Sequence, residues 1–348
     1  MKSSSKARVL LIYTGGTIGM MQDPVSGELK PFAFTQLYQQ IPELQHLPVE
    51  LEALTTQQAI DSSNMDPRHW IELVELLETH YEHYEGFVVL HGSDTMSYTA
   101  SALSFMLVNL SKPVVLTGSQ LPIGVIRTDG KENVLTAIEI AAARKPDGTA
   151  RVPEVCVYFE YKLYRGNRCF KYNSEQFEAF KSPHYPYLAE AGVHITYNDA
   201  FIRCSSNPPQ KLQTLKTLSS AIHIMSLFPG MREEYVYPIR HTTLKALILL
   251  TYGAGNGPTE NWFVSYLKQQ IKEGLLVFNV TQCKAGTVVL GMYQTSMQFK
   301  NLGVVGAGDM TLEAALTKLM VLLGQSNDTQ WIKHQFETNL RGERSPLQ

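Results

Sequence analysis

The stretch Arg8-Val9-Leu10-Leu11-Ile12-Tyr13-Thr14-Gly15-Gly16-Thr17-Ile18-Gly19-Met20 decides how the chain is read. Val9 to Tyr13 is an unbroken apolar, partly β-branched run, the pattern of a strand buried on both faces in a parallel sheet. Thr14 ends it, and the glycines that follow allow a sharp turn and close approach of a ligand to the backbone. In an open α/β sheet ligands sit at the carboxyl ends of strands, which puts the Thr14 hydroxyl at the mouth of a crevice. Taken alone, a Thr at a strand end is explained more simply by turn or cap hydrogen bonds.

The same grammar recurs outward from that point. Phe87-Val88-Val89-Leu90 runs into His91-Gly92-Ser93-Asp94-Thr95 ahead of a predicted helix from Met96 to Val108. Val114 to Leu116 runs into Thr117-Gly118-Ser119-Gln120 ahead of a helix from Asp129 to Ala143. Strand and helix alternate, so the fold class is α/β, with a mostly parallel sheet and right-handed crossovers. Between these units lie a short helix from Thr35 to Gln40, a strand from Val49 to Leu54, and the polar run Asp61-Ser62-Ser63. Asp66 as N-cap, Pro67 at the first helical position and apolar residues Trp70, Leu73, Val74, Leu77 and Tyr81 at helical spacing predict a helix that closes at Gly86.

Farther on, Glu154 to Glu160 reads as a strand and Tyr161 to Lys171 as a hairpin with turn residues between two extended arms. The Pro- and Gly-containing loop from Gln22 to Pro31 is irregular and suits a lid. Regular patterning is lost after Asn198, and Asn207-Pro208-Pro209 cannot continue any element. The chain therefore divides into a catalytic α/β domain over 1–198, a linker over 199–219 and a smaller α/β domain over 220–348. The second domain shows strands at Ala221 to Leu227, Leu244 to Thr251 and Leu275 to Val280. Its helices are Asn261 to Lys272, Met310 to Leu323 with Asp309 as cap, and one amphipathic helix beyond Gln325.

Composition narrows the function classes. At 348 residues two domains of ordinary size are expected, and a hydrophobic fraction of 44% supplies their cores. A net charge of −2 with 18% charged residues offers no basic field for nucleic acid and no polybasic stretch for a membrane surface. No long apolar run and no leader-type cleavage site stand out, so a cytoplasmic enzyme with a small partner is expected. Cys156, Cys169, Cys204 and Cys283 are too scattered for a metal or redox site and are read as reduced thiols. The histidines show no ligand spacing, so neither metal nor cofactor is expected.

Four groups are candidates for chemistry: Thr14, Ser93, Asp94 and Lys171. A hydroxyl is a weak nucleophile until a base takes its proton, and a lysine oriented by a carboxylate can be that base. Together these groups would form an activated-hydroxyl site for acyl transfer. Each also has a plain explanation: Ser93 and Asp94 suit a helix N-terminus, and Lys171 alone reads as a solvated charge.

Tyr13-Thr14-Gly15-Gly16-Thr17-Ile18-Gly19 and His91-Gly92-Ser93-Asp94-Thr95-Met96 resemble the two signature motifs of bacterial-type L-asparaginases. Asp61-Ser62-Ser63-Asn64-Met65, Leu163-Tyr164-Arg165-Gly166-Asn167-Arg168, Tyr252-Gly253-Ala254-Gly255-Asn256 and Gly306-Ala307-Gly308-Asp309-Met310-Thr311 resemble the cytoplasmic type I branch. The resemblance runs from about Arg8 to Leu323. It implies a flavodoxin-like N-terminal sheet, a Rossmann-like C-terminal domain, and hydrolysis of L-asparagine to L-aspartate and ammonia. It also implies that Thr14 is the nucleophile, carrying a covalent acyl-threonine intermediate. The second triad then falls on Ser93, Lys171 and Asp94, and Asp61, Ser62 and Ser63 hold the α-amino and α-carboxyl groups of the substrate.

The family's sites lie between subunits, which implies a dimer or a dimer of dimers, with Asn256 and Tyr293 contributed by the neighbour. Three departures follow. Ser93 stands where the family usually has Thr, and Leu29 stands where many members place a loop Tyr, leaving Tyr293 to supply the phenol. Cys283 is retained where some members hold an allosteric asparagine, but Leu250 and Phe170 replace an Arg and a Thr there. Alternative readings are the amidase subunit of a tRNA-dependent amidotransferase, which carries an added N-terminal domain, and a non-catalytic amino-acid-binding protein.

Overall fold

The computed structural model describes residues 6–22, 29–31, 37–204, 210–236 and 243–346, with the side chains of residues 20–22, 29–31 and 294 excepted. Two compact units divide between Lys216 and Thr217. In the first, Ala7–Gly15 (β1), Val49–Ile60 (β2), Gly86–Leu90 (β3), Val114–Thr117 (β4) and Val155–Phe159 (β5) are strands of one sheet. Lys162–Arg165 (β6), Ala189–Ala191 and Ile195–Tyr197 extend it, giving eight strands. The pairs β1 with β2, β1 with β3, β3 with β4, and β4 with β5 are parallel, whereas β6 and the strands beyond it are antiparallel.

The sheet order places β1 between β2 on one side and β3 on the other. The chain thus leaves β1 in one direction and later returns to its opposite flank, which makes β1 the point where strand order reverses. In such sheets the crevice for a ligand opens at that point, outside the carboxyl ends.

Val9, Leu10, Leu11 and Ile12 are all fully buried, as a strand covered on both faces requires. One face joins Val88, Val115, Val134 and Ile138 in a single cluster. Each such aliphatic side chain contributes about 1.5–3 kcal/mol by leaving water. Pro67–His80 (α1), Met96–Met106 (α2) and Gly130–Ala142 (α3) are the long helices of this unit. Asp66 caps α1 by accepting from the Arg68 N–H, and His69 Nδ1 accepts from the Asp66 N–H.

Several expectations are corrected. The helix after Asp66 does not reach Gly86 but ends at His80, followed by a 3₁₀ turn over Tyr81–His83. The helix expected to reach Val108 ends at Met106, because Leu107–Val108 turns extended and pairs with Gln213–Thr214. The strand at Val49 continues to Ile60, six residues farther than its apolar part, because β1 supplies a hydrogen-bonding edge. The arms of the expected Tyr161 to Lys171 hairpin do not pair with each other. Instead β6 turns back on β5 through Glu160 and Tyr161, both at positive φ, and Phe170–Lys171 (β7) pairs with Phe180–Lys181 (β8). Two left-handed residues are what a two-residue hairpin loop demands, here met without glycine. The expected lid and Asn207-Pro208-Pro209 fall largely outside the described residues, although backbone at Met20–Gln22 and Leu29–Pro31 pairs antiparallel.

The second unit carries four parallel strands in sequence order: Ile222–Ser226 (β9), Ala246–Thr251 (β10), Leu276–Thr281 (β11) and Val305–Gly306 (β12). Asn261–Lys272 (α4), Gln294–Leu302 (α5), Leu312–Gln325 (α6) and Thr329–Glu337 (α7) are its helices. Asp309 is not the cap of α6. Thr311 is, accepting from the Ala314 N–H, while Asp309 accepts from the Ser345 N–H. Lys318 on α6 and Glu343 are both fully buried and hydrogen-bonded at 2.5 Å. Lys318 also donates to the carbonyls of Phe336 and Thr338, and Glu343 accepts from the N–H groups of Leu340 and Arg341. The Lys318 bonds tie the C-terminal segment to α6, and the two backbone bonds to Glu343 hold its carboxylate within that segment. Removing one partner of a buried pair strands the other charge, so Glu343→Ala is expected to destabilise the chain by about 3–5 kcal/mol, measurable by denaturant unfolding.

Candidate active site

Three adjacent parallel strands end at the same edge of the first sheet. β1 delivers Thr14, β2 delivers Asp61-Ser62-Ser63, and β3 delivers His91-Gly92-Ser93-Asp94. Their ends are held at backbone contact. A Cβ on Gly15 would lie 2.1 Å from the Ile60 carbonyl oxygen, one on Gly16 would lie 2.5 Å from the Gly92 Cα, and one on Gly92 would lie 2.5 Å from Ser62 Oγ. Gly15 and Gly16 also take φ of +119° and +87°. Only glycine meets both demands, the left-handed turn and the absence of a side chain.

Thr14 is buried, and its Oγ1 donates to the Leu90 carbonyl at 2.9 Å. Ser62 is buried too, and its carbonyl accepts from Thr95 Oγ1 at 2.7 Å, tying the β2 end to the first residues after β3. Asp61 Oδ1 accepts from both the N–H and the Oγ of Ser63, at 2.8 and 2.9 Å. Those two bonds, the backbone one foremost, hold the Asp61 carboxyl below the usual carboxylate range. It therefore stays ionised at neutral pH.

Lys171 arrives from β7 on the antiparallel side. Its Nζ donates to Ser93 Oγ at 2.8 Å and to Asp94 Oδ1 at 2.6 Å. The lysine side chain is 15% exposed and the aspartate 61%, so the ammonium is sheltered while its counter-ion faces water. Ser93 Oγ in turn donates to Gln120 Oε1 at 3.3 Å, and Gln120 Nε2 donates to the Gln176 carbonyl at 3.0 Å. The buried pair of Arg165 with Glu154, at 2.6 Å, anchors the strand that precedes Lys171.

Of the expected residues, Ser93, Asp94 and Lys171 are thus joined by hydrogen bonds, and Asp61, Ser62 and Ser63 line the neighbouring strand end. Thr14 shares that edge but bonds to Leu90 rather than to the lysine. In the second unit, Asn256 Oδ1 accepts from Thr295 Oγ1 at 2.7 Å, and Tyr293 is half-exposed just ahead of α5. The side chain of Leu29 lies outside the described residues. Leu250 is part-buried on β10, Phe170 is buried on β7, and Cys283 is exposed. From the sequence alone no role falls to Gln120, to the buried His91 or to its partner Thr99, and Trp70, which donates to Thr99, reads only as an apolar helix residue. The shared strand-to-helix pattern around Thr117-Gly118-Ser119-Gln120 was the available signal for the first. Among the described residues no group of three or more His, Cys, Asp or Glu could hold a metal.

Hydroxyls, an ammonium and a carboxylate gathered at the ends of a parallel sheet are the parts of an α/β enzyme that works by acyl transfer to an activated hydroxyl. The family model described as asparaginase, N-terminal, matches residues 8–203, and the glutaminase/asparaginase C-terminal domain matches residues 221–336. L-asparaginase 1 of Escherichia coli strain K12 is 41% identical over 354 residues, covering 98% of this chain and 99% of that protein. The crystal structure of L-asparaginase I from Vibrio cholerae superposes with a TM-score of 0.88 at 35% identity, covering 98% of this chain and all of that one. The thermostable L-asparaginase from Thermococcus kodakarensis gives 0.89 at 30% identity over the same share of this chain and 100% of its own. The chain belongs to the asparaginase family.

The glycine contacts lead to a first test of the site. Gly16→Ala forces a side chain into the left-handed region, costing roughly 1–2 kcal/mol from conformation alone, and drives its Cβ into Gly92. A fall in melting temperature is expected, together with loss of the Gly16 to Gly92 approach in a crystal structure of the variant.

Proposed function

We propose that the chain hydrolyses L-asparagine to L-aspartate and ammonia, and that the reaction proceeds through an ester on Thr14. The observation that carries the reading is the Lys171 ammonium held between Ser93 Oγ and Asp94 Oδ1 beside the strand end that bears Thr14. Thr14 Oγ1 attacks the side-chain amide carbon, the C–N bond breaks, and the hydroxyl proton leaves with the nitrogen as ammonia. Water then attacks the ester carbonyl, its proton returns to Thr14 Oγ1, and aspartate departs. With its Nζ unprotonated, Lys171 takes the proton of the Ser93 hydroxyl as that hydroxyl takes one from the attacking oxygen; in that form it is the base that makes the oxygen nucleophilic, and Asp94 orients it.

The zwitterionic end of the substrate needs opposite partners: Asp61 for the ammonium, with Ser63 holding that carboxylate in place through its N–H and Oγ, and the Ser62 hydroxyl for the substrate carboxylate. Ser62 is the buried member of the three, and selection by a buried polar group is the strong kind, because a ligand lacking the matching group leaves it unsatisfied. Asp61 is suited to its part since its depressed pKa keeps it charged.

The working form in this proposal is a cytoplasmic homodimer or dimer of dimers, with Asn256 and Tyr293 reaching the site of a neighbouring subunit. Tyr293 is 53% exposed and sits beside exposed Met292 and Met297, a surface that suits burial against another copy. Among the described residues no helix is long and apolar enough to cross a membrane.

Ammonia release from asparagine, glutamine and a short β-aspartyl peptide tests the reading. Asparagine should be turned over fastest. Thr14→Ala should abolish release while the chain stays folded, and Lys171→Met should slow it roughly 10³-fold or more; near-normal turnover in either variant removes that residue from the mechanism. Light scattering at assay concentration should show a dimer or larger, and an active monomer would end the shared-site proposal.

A further inference from the structure

His91 is fully buried at the end of β3, one residue before Gly92 and two before Ser93. Its ring makes two short polar contacts: Nδ1 lies 2.7 Å from the Gly92 carbonyl oxygen and Nε2 lies 2.9 Å from Thr99 Oγ1. Thr99, on α2, is itself fully buried, and its Oγ1 accepts from Trp70 Nε1 of α1 at 3.0 Å.

These contacts determine where the ring proton sits. Indole N–H only donates, so the Trp70 bond uses a lone pair of the Thr99 oxygen and leaves its own hydrogen available. If Nε2 carried the proton, bare Nδ1 would face the Gly92 oxygen at 2.7 Å, lone pair against lone pair. If both nitrogens carried protons, a cation would sit in a site with no access to water. Burial opposes that, drawing the imidazole down to about 4. The arrangement that satisfies every contact has Nδ1–H donating to Gly92 and Thr99 donating to Nε2.

We infer that His91 is a positioning residue for Ser93: its Nδ1–H tautomer, fixed by Trp70 through Thr99, pins the Gly92 carbonyl and so sets the plane of the Gly92–Ser93 peptide from which Ser93 Oγ meets Lys171. This rests on the reading that Ser93 belongs to the catalytic machinery. The peptide is planar, so fixing its carbonyl direction fixes the Ser93 N–H and the approach of its Cα together. Gly92 has no side chain to hold that plane by packing, and a Cβ there would strike Ser62. The carbonyl clamp supplies the restraint that the glycine lacks.

The test compares kcat and KM for ammonia release in the full chain carrying His91→Leu, His91→Asn or Ser93→Ala, alongside the unaltered protein. Asn places an amide nitrogen where Nδ1 stands and keeps the donor to Gly92; Leu removes it. His91→Leu is expected to lower kcat on the order of 10²-fold, the scale of a misplacement near 1 Å, with KM within about twofold, and His91→Asn to recover to within about tenfold of the unaltered enzyme. Unchanged kcat in His91→Leu, or an Asn variant as impaired as Leu, overturns the inference. So does a long-range proton–nitrogen correlation spectrum of the unaltered protein showing the proton of His91 on Nε2, a readout that holds even if a variant fails to fold. Full activity in Ser93→Ala would instead remove the reading of Ser93 on which the inference stands. Loss in Ser93→Ala with no loss in His91→Leu would overturn the positioning role alone.

Discussion

Backbone-to-backbone approach at the carboxyl ends of β2, β1 and β3 is the constraint on which the rest of this site depends. Parallel pairing brings the three ends to one edge, but a pleated sheet alone leaves about 4.8 Å between neighbouring strands. The polar groups converge further because Gly15 rests against Ile60 and Gly16 against Gly92, which in turn rests against Ser62. Removing side chains at these points is what lets hydroxyls from distant parts of the sequence share one edge. The apolar runs behind them, buried on both faces, supply the rigidity that holds such close contacts.

Electrostatics enter from the other direction. Lys171 comes from the antiparallel part of the first unit, and two of its three donors are taken by Ser93 and Asp94. Because Asp94 is largely exposed, the ion pair adds little to stability, as surface pairs generally do. Its value is directional: the carboxylate fixes where the amine points, and the sheltered side of the amine faces the Ser93 hydroxyl. The buried Arg165 and Glu154 pair serves the strand before it, and Glu154 also accepts from the Arg203 N–H at 2.6 Å.

The strands, and the strand-end hydroxyls proposed for the site, were legible because they follow local rules: a continuous apolar run, then glycines and hydroxyls. Lys171 read alone as a solvated charge and entered only through the family resemblance. Asp66-Pro67 announced its helix by capping chemistry that acts within three residues. What local rules do not carry was lost. Glu160 and Tyr161 form a tight turn without the usual glycine signal, so the hairpin was placed one turn too late along the chain. Asp309 reads as a cap from its neighbours, yet Thr311 is nearer the helix and Asp309 is claimed by Ser345, 36 residues away. His91 stood in a motif without a role of its own, since the contacts that fix its ring run to Thr99 on α2 and through it to Trp70 on α1.

Ser at position 93 changes the demands on its surroundings. A Thr side chain is branched at Cβ and stiff about χ1, so the backbone alone largely decides where its hydroxyl points. Ser has no methyl group and three accessible wells, and its oxygen direction must come from outside. Here Lys171 Nζ donates to that oxygen, Gln120 Oε1 accepts from it, and the backbone beneath it is tied through Gly92 to a buried imidazole. Each of these restraints originates at a different place in the fold: β7, the segment after β4, and the residue that follows β3. A hydroxyl held this way loses its direction when any one of the three shifts, so the geometry at Ser93 depends on the packing of the first unit more than a threonine at the same position would.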